Sequence, residues 1–120
     1  MTEQVSLPVE AGPVPLRAED YFLLGEAGAL NDYKKTELID GVIIAMAPAH
    51  SLHGRIQRNL FRVLDHACQE LGGLEAAFEI SVKLAPHQVV QPDVMVLTAL
   101  PARGKIDAAT LRLAVAVADT

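Results

Sequence analysis

The chain has 120 residues, 51% of them apolar and 21% charged, with a formal net charge of −5. That length suits one small domain burying roughly 65% of its unfolded surface, and the acidic balance argues against a general nucleic-acid coat while leaving room for a local basic patch. No apolar run approaches the roughly 18 residues of a membrane span, the N-terminus lacks a signal-peptide pattern, and the lone Cys68 excludes an internal disulfide, so a cytoplasmic, non-membrane protein is expected.

Residues 1–16, with Pro8, Gly12, Pro13 and Pro15, read as a flexible or extended lead-in to a domain over 17–120. Ala18–Leu24 predicts a short helix ending near Gly25 or Gly28. Two apolar strands, 35–39 and 42–46, flank Asp40-Gly41, the pair that supplies the positive φ angles of a two-residue hairpin turn. Pro48 is expected to end the second. Ser51 caps a long helix to about Leu71, with an apolar stripe at Leu52, Ile56, Leu60, Val63, Ala67 and Leu71, and Gly72-Gly73 stops it.

The alternation over Phe78–Leu84 predicts a half-exposed strand, and Pro86-His87-Gln88 a turn. Val89–Leu97 then reads as one buried strand carrying a single carboxylate, Asp93. A loop with Pro101 and Gly104 leads to a last buried strand, Leu111–Val117. The order of elements predicts an α/β (α+β) fold, with the long helix packed on one face of the sheet. A complete domain rarely stops at a buried strand, so part of the fold is expected to be missing beyond Thr120.

Burying an unpaired carboxylate is costly. Asp93 is therefore expected either to cap a turn after Pro92 or to hold a metal. Glu37 is the other carboxylate set in an apolar strand, and carboxylate oxygens are what a hard cation such as magnesium prefers. The alternative for Glu37 is a solvated hairpin residue. His53 shares the inward side of the long helix and is either a core histidine bonded to a backbone carbonyl or a partner to a catalytic carboxylate, phosphate or metal. Arg55, Arg58 and Arg62 follow one another at i, i+3, i+7, as a row that contacts phosphates or as a solvated helix face.

These residues together resemble a known family. Tyr33-Lys34-Lys35-Thr36-Glu37-Leu38-Ile39-Asp40-Gly41, Met46-Ala47-Pro48, His53, Gln91-Pro92-Asp93-Val94 and Leu113–Thr120 are similar, in order, to segments of the Uma-two family of restriction endonucleases. The resemblance implies a PD-(D/E)XK nuclease fold: a restriction-endonuclease-like mixed sheet, here without its C-terminal part. It implies magnesium-dependent hydrolysis of DNA phosphodiesters, with the metal neutralising charge on the phosphate and activating water. Asp93 would be the metal-binding aspartate, Glu37 an accessory acid that also binds metal, and His53 a further site residue.

The family's second metal-binding acid would fall at Ala116, which has no ligand atom, and the superfamily lysine would fall at Ala118, although the resemblance implies that members of this family place theirs on a helix further on. Impaired or absent cleavage by the 120-residue chain is therefore expected. The alternative is a non-catalytic binding or self-assembly module, with two copies pairing as a homodimer to cover an exposed edge.

Overall fold

The computed structural model describes residues 10–47, 51–102 and 105–118. Helix α1 (Ala18–Glu26) is followed by strands β1 (Thr36–Ile39) and β2 (Val42–Ala45) and the long helix α2 (Ser51–Leu71). Then come β3 (Glu75–Ala77), β4 (Val82–Ala85), β5 (Gln88–Val90), β6 (Val94–Leu97), β7 (Ile106–Asp107), a 3₁₀ turn at Ala108–Thr110, and β8 (Leu111–Val115). The strands form a five-stranded mixed sheet in the order β2-β1-β5-β4-β7 and a three-stranded antiparallel sheet in the order β3-β6-β8. The architecture is mixed α/β, as expected, with α2 packed on β3 and β6.

Local chemistry sets the first half as the sequence predicts. Asp20 accepts the Arg17 amide at 2.9 Å and fixes the start of α1. Asp40 (φ 50°) and Gly41 (φ 79°) close the β1–β2 hairpin between Ile39 and Val42. Gly41 is also crowded: a Cβ there would stand 2.5 Å from Pro15 Cβ, and the Leu16 amide donates to the Gly41 carbonyl at 3.0 Å. α2 runs from Ser51 to Leu71 and ends at Gly72 and Gly73, both at φ 73°. Pro48 lies outside the described residues.

The second half departs from the expected pattern in three ways. Phe78–Leu84 is not one strand, and neither is Val89–Leu97. In the first, 78–81 lie outside any strand and carry the chain from β3 to β4; in the second, 91–93 interrupt the run between β5 and β6; at each the chain passes from one sheet to the other. The two breaks meet. The Glu79 amide donates to the Pro92 carbonyl at 3.1 Å, and the Gln91 side chain donates to the Glu79 carbonyl at 2.6 Å. Glu79 sits at φ 52°, a left-handed conformation incompatible with a continuing ladder. Pro92 lacks the amide a ladder requires.

The long helix, secondly, is turned from its expected orientation. Leu71, about five turns from His53 and on its side, is exposed at the end of the helix; Leu52, Ile56 and Val63 are exposed, whereas His53 and Cys68 are buried and Gln57, Leu60, Phe61 and Leu64 partly so. Both sets follow helical spacing. They differ by about one residue, or ~100° of rotation. Thirdly, β8 is shorter than predicted and largely exposed, because it lies at the edge of its sheet rather than inside it. β7, only two residues long, carries no periodicity and lies where a loop is expected.

Two apolar clusters hold the layers. Ala77, Val82, Met95, Leu97 and Ile106 pack where the two sheets adjoin. Ala18, Tyr21, Leu38 and Val89 seat α1 on the five-stranded sheet. The Tyr21 hydroxyl reaches Thr36 Oγ1 at 2.7 Å and ties the helix to β1.

Candidate active site

The break between β5 and β6 positions Asp93. Its residue is 6% exposed. Oδ2 accepts the Val117 amide at 2.7 Å and stands 3.3 Å from His53 Nε2; Oδ1 faces the Lys35 ammonium at 3.5 Å. One turn along α2 from His53, the Gln57 side chain donates to the Asp93 carbonyl at 2.8 Å. Asp93 thus joins four segments: the approach to β1, the first turns of α2, the start of β6 and the chain just past β8. Its carboxylate takes its amide from Val117 rather than from a local turn.

His53 is buried, as the sequence reading has it. With hydrogen on Nε2 the ring donates to Asp93 and leaves Nδ1 as an acceptor. Nδ1 is buried with no partner among the described residues. Gln57 lies close to the same side of the helix, four residues on.

Glu37 is half-buried on β1, and its Oε2 accepts the Gln91 amide at 2.8 Å. Lys35 and Glu37 alternate with the core-facing Leu38 and share the other face of the strand. The ladder extends to Lys35, whose carbonyl accepts the Met46 amide at 2.9 Å. Glu37 thereby braces Gln91, two residues before Asp93, while Lys35 reaches Asp93 itself.

Arg55, Arg58 and Arg62 are exposed. At about 100° per residue they project from the side of α2 roughly opposite His53. The structure brings Asp93 and His53 together, with Glu37 one hydrogen bond away through Gln91, and leaves the arginine row on another surface.

Val94 pairs with Val115 and Met95 with Ala114. Continued one step, this register sets Ala116 opposite Asp93, so the neighbouring strand contributes a methyl group where a second carboxylate would complete a pair. The residues as they stand do not fit a magnesium ion. Magnesium takes carboxylate and water oxygens in near-octahedral geometry. Here Oδ2 is engaged by an amide and an imidazole, and Oδ1 faces an ammonium that would repel a second cation. Among the described residues, no three His, Cys, Asp or Glu side chains cluster closely enough to hold a metal.

Sequence reasoning singled out Asp93, Glu37 and His53 but not Lys35, Gln57, Gln91 or the Val117 amide. The one available signal was the alternation of Lys35 with Glu37, which puts both on the face away from Leu38.

In comparisons with known proteins, the chain resembles the crystal structure of a putative nuclease belonging to DUF820 from Anabaena variabilis, with a TM-score of 0.56 and 19% sequence identity. The match covers 69% of this chain and 43% of that one, so the chain spans less than half the length of that protein. At this identity the likeness speaks for the fold, which is nuclease-like. No curated protein matches, and among the described residues no helix is long and apolar enough to cross a membrane. The family model Uma2, described as "Putative restriction endonuclease", matches residues 18–119, and the chain belongs to that family.

Proposed function

We propose that the chain carries the framework of a magnesium-dependent DNA endonuclease, and that phosphodiester cleavage is weak or absent in these 120 residues. The observation that carries this reading is the environment of Asp93: a buried carboxylate encircled by Lys35, His53 and the Val117 amide, with Ala116 across the ladder. The aspartate, histidine and accessory Glu37 are a nuclease-like set. The ring of donors satisfies the charge that a metal would otherwise hold, so the same residues that stabilise the fold oppose metal entry. A cytoplasmic location is part of the same proposal, in which the free, buried Cys68 serves no disulfide.

The test adds the missing carboxylate. Plasmid nicking in magnesium is expected to stay near buffer background for the wild-type chain. It should rise for Ala116→Glu and fall back when Asp93→Asn is added. Strong nicking by wild type that survives Asp93→Asn would remove Asp93 from the chemistry. An Ala116→Glu variant that neither binds magnesium by calorimetry nor cleaves would overturn the pairing of positions 93 and 116 as a metal site.

A binding or assembly role without catalysis is the second reading. The exposed apolar stripe of α2 favours it, and the oligomeric state in solution tests it.

A further inference from the structure

We propose that the pocket beside the Asp93 corner binds a single-stranded segment of DNA, with Lys34 and Lys105 taking backbone phosphates and Tyr33 presenting a ring to a base. The ligand class rests on the nuclease reading above; the location does not follow from it. The cavity has a volume of about 410 Å³, within the roughly 300–1,000 Å³ range of ligand sites. Three lysines line it against one carboxylate, Glu26, and with Lys35 paired to Asp93 the lining stays net positive by one charge. The whole chain, by contrast, carries −5. A local positive concavity in an acidic chain concentrates anions there and repels them elsewhere.

Lys34 and Lys105 have no ion-pair partner among the described residues, whereas Lys35 is paired with Asp93. Lys105 Nζ lies 4.3 Å from the centre of the Phe22 ring, a cation–π contact that fixes the ammonium and leaves its hydrogens free. Lys34 is exposed at the rim. The side chain of Lys35 is 22% exposed and stands between pocket and site, lining the cavity while facing Asp93 Oδ1. Gln91 is shared in the same way, lining the pocket while its amide holds Glu37. A strand lying over Lys34 and Lys105 would therefore lie beside Lys35 and Gln91, the two lining residues that connect the pocket to the Asp93 corner.

Tyr33 also lines the cavity and is 54% exposed. An exposed aromatic ring beside phosphate-binding cations suits a base that is not already stacked in a duplex. The arginine row on α2, facing roughly away from His53, does not share this lining.

The experiment is a titration of a fluorescent single-stranded DNA oligonucleotide with the full chain in EDTA, over a range of salt concentrations, beside a duplex of the same sequence. Single-stranded DNA is expected to bind more tightly than duplex. Lys34→Ala and Lys105→Ala, both at exposed positions, are each expected to lower the slope of log K against log salt by about 0.7. Tyr33→Ala should weaken binding about tenfold with the slope unchanged. Combined Arg55→Ala, Arg58→Ala and Arg62→Ala should leave both unchanged. The proposal is overturned by absence of binding at low salt, by tighter duplex binding, by an unaltered slope in the two lysine variants, or by loss confined to the arginine variant. Because EDTA removes cleavage from the measurement, such a failure leaves the Ala116→Glu test untouched, and failure of that test leaves this one standing.

Discussion

Asp93 shows how a buried charge is accommodated when its partners come from distant parts of the chain. A reading along the sequence meets Asp93 between Pro92 and Val94 and finds nothing nearby to pair with it, which makes a metal or a turn the natural alternatives. The Val117 amide lies 24 residues later, and Lys35 belongs to the approach to the first strand. No local spacing relates them; only the sheet register does. Removing the carboxylate should therefore cost stability whether or not it serves catalysis. Asp93→Ala leaves a half-buried amide and a buried imidazole without an acceptor and the Lys35 ammonium without its counter-charge. The expected loss is about 3 kcal/mol in urea unfolding. Asp93→Asn keeps one oxygen for the Val117 amide and should lose less. Equal stability of Asp93→Ala and wild type would mean that the ring of contacts contributes nothing to folding.

At the scale of elements, the hairpin and the two ends of α2 were legible because their signals are local: Asp40-Gly41, Ser51 and Gly72-Gly73. The break in the paired strands was not. Alternation over Phe78–Leu84 continues through the crossing, so period two is present in the sequence even where the ladder has ended. Glu79 is the residue that absorbs the change of direction, in a left-handed conformation that costs a non-glycine residue about 1 kcal/mol. Its carbonyl accepts the Gln91 side chain, so the contact that joins the two breaks belongs to the backbone and survives substitution. Glu79→Gly is therefore expected to be as stable as wild type or up to about 1 kcal/mol more so, the relieved strain offsetting the added chain entropy. Glu79→Val, β-branched at the same angle, should lose about 1–2 kcal/mol. A Glu79→Val variant with an unchanged urea midpoint would show that the crossing does not depend on this conformation.

For the molecule as a whole, the rotation of α2 matters most. Two apolar stripes at helical spacing run along the same helix, and sequence periodicity cannot decide which one a sheet will cover. The sheet covers the one bearing His53 and Cys68, so Leu52, Ile56 and Val63 stand 60, 43 and 65% exposed in a row. Single exposed apolar residues are ordinary, but a row of them on one helix makes a candidate contact surface. We take its occupant to be a second copy of the chain. A helical stripe can meet its own image across a twofold axis, each ridge filling the groove of the other. The pairing expected from the sequence would thus run through α2 rather than through the edge strand. Light scattering at micromolar concentration is then expected to give a dimer for wild type and a monomer for Ile56→Lys combined with Val63→Lys. Urea unfolding of the variant should lose the concentration dependence of the wild type, since dissociation is then no longer coupled to unfolding. A wild-type monomer, or a dimer unaffected by both lysines, would discard α2 as the interface, leaving the stripe as exposed surface with no bearing on assembly.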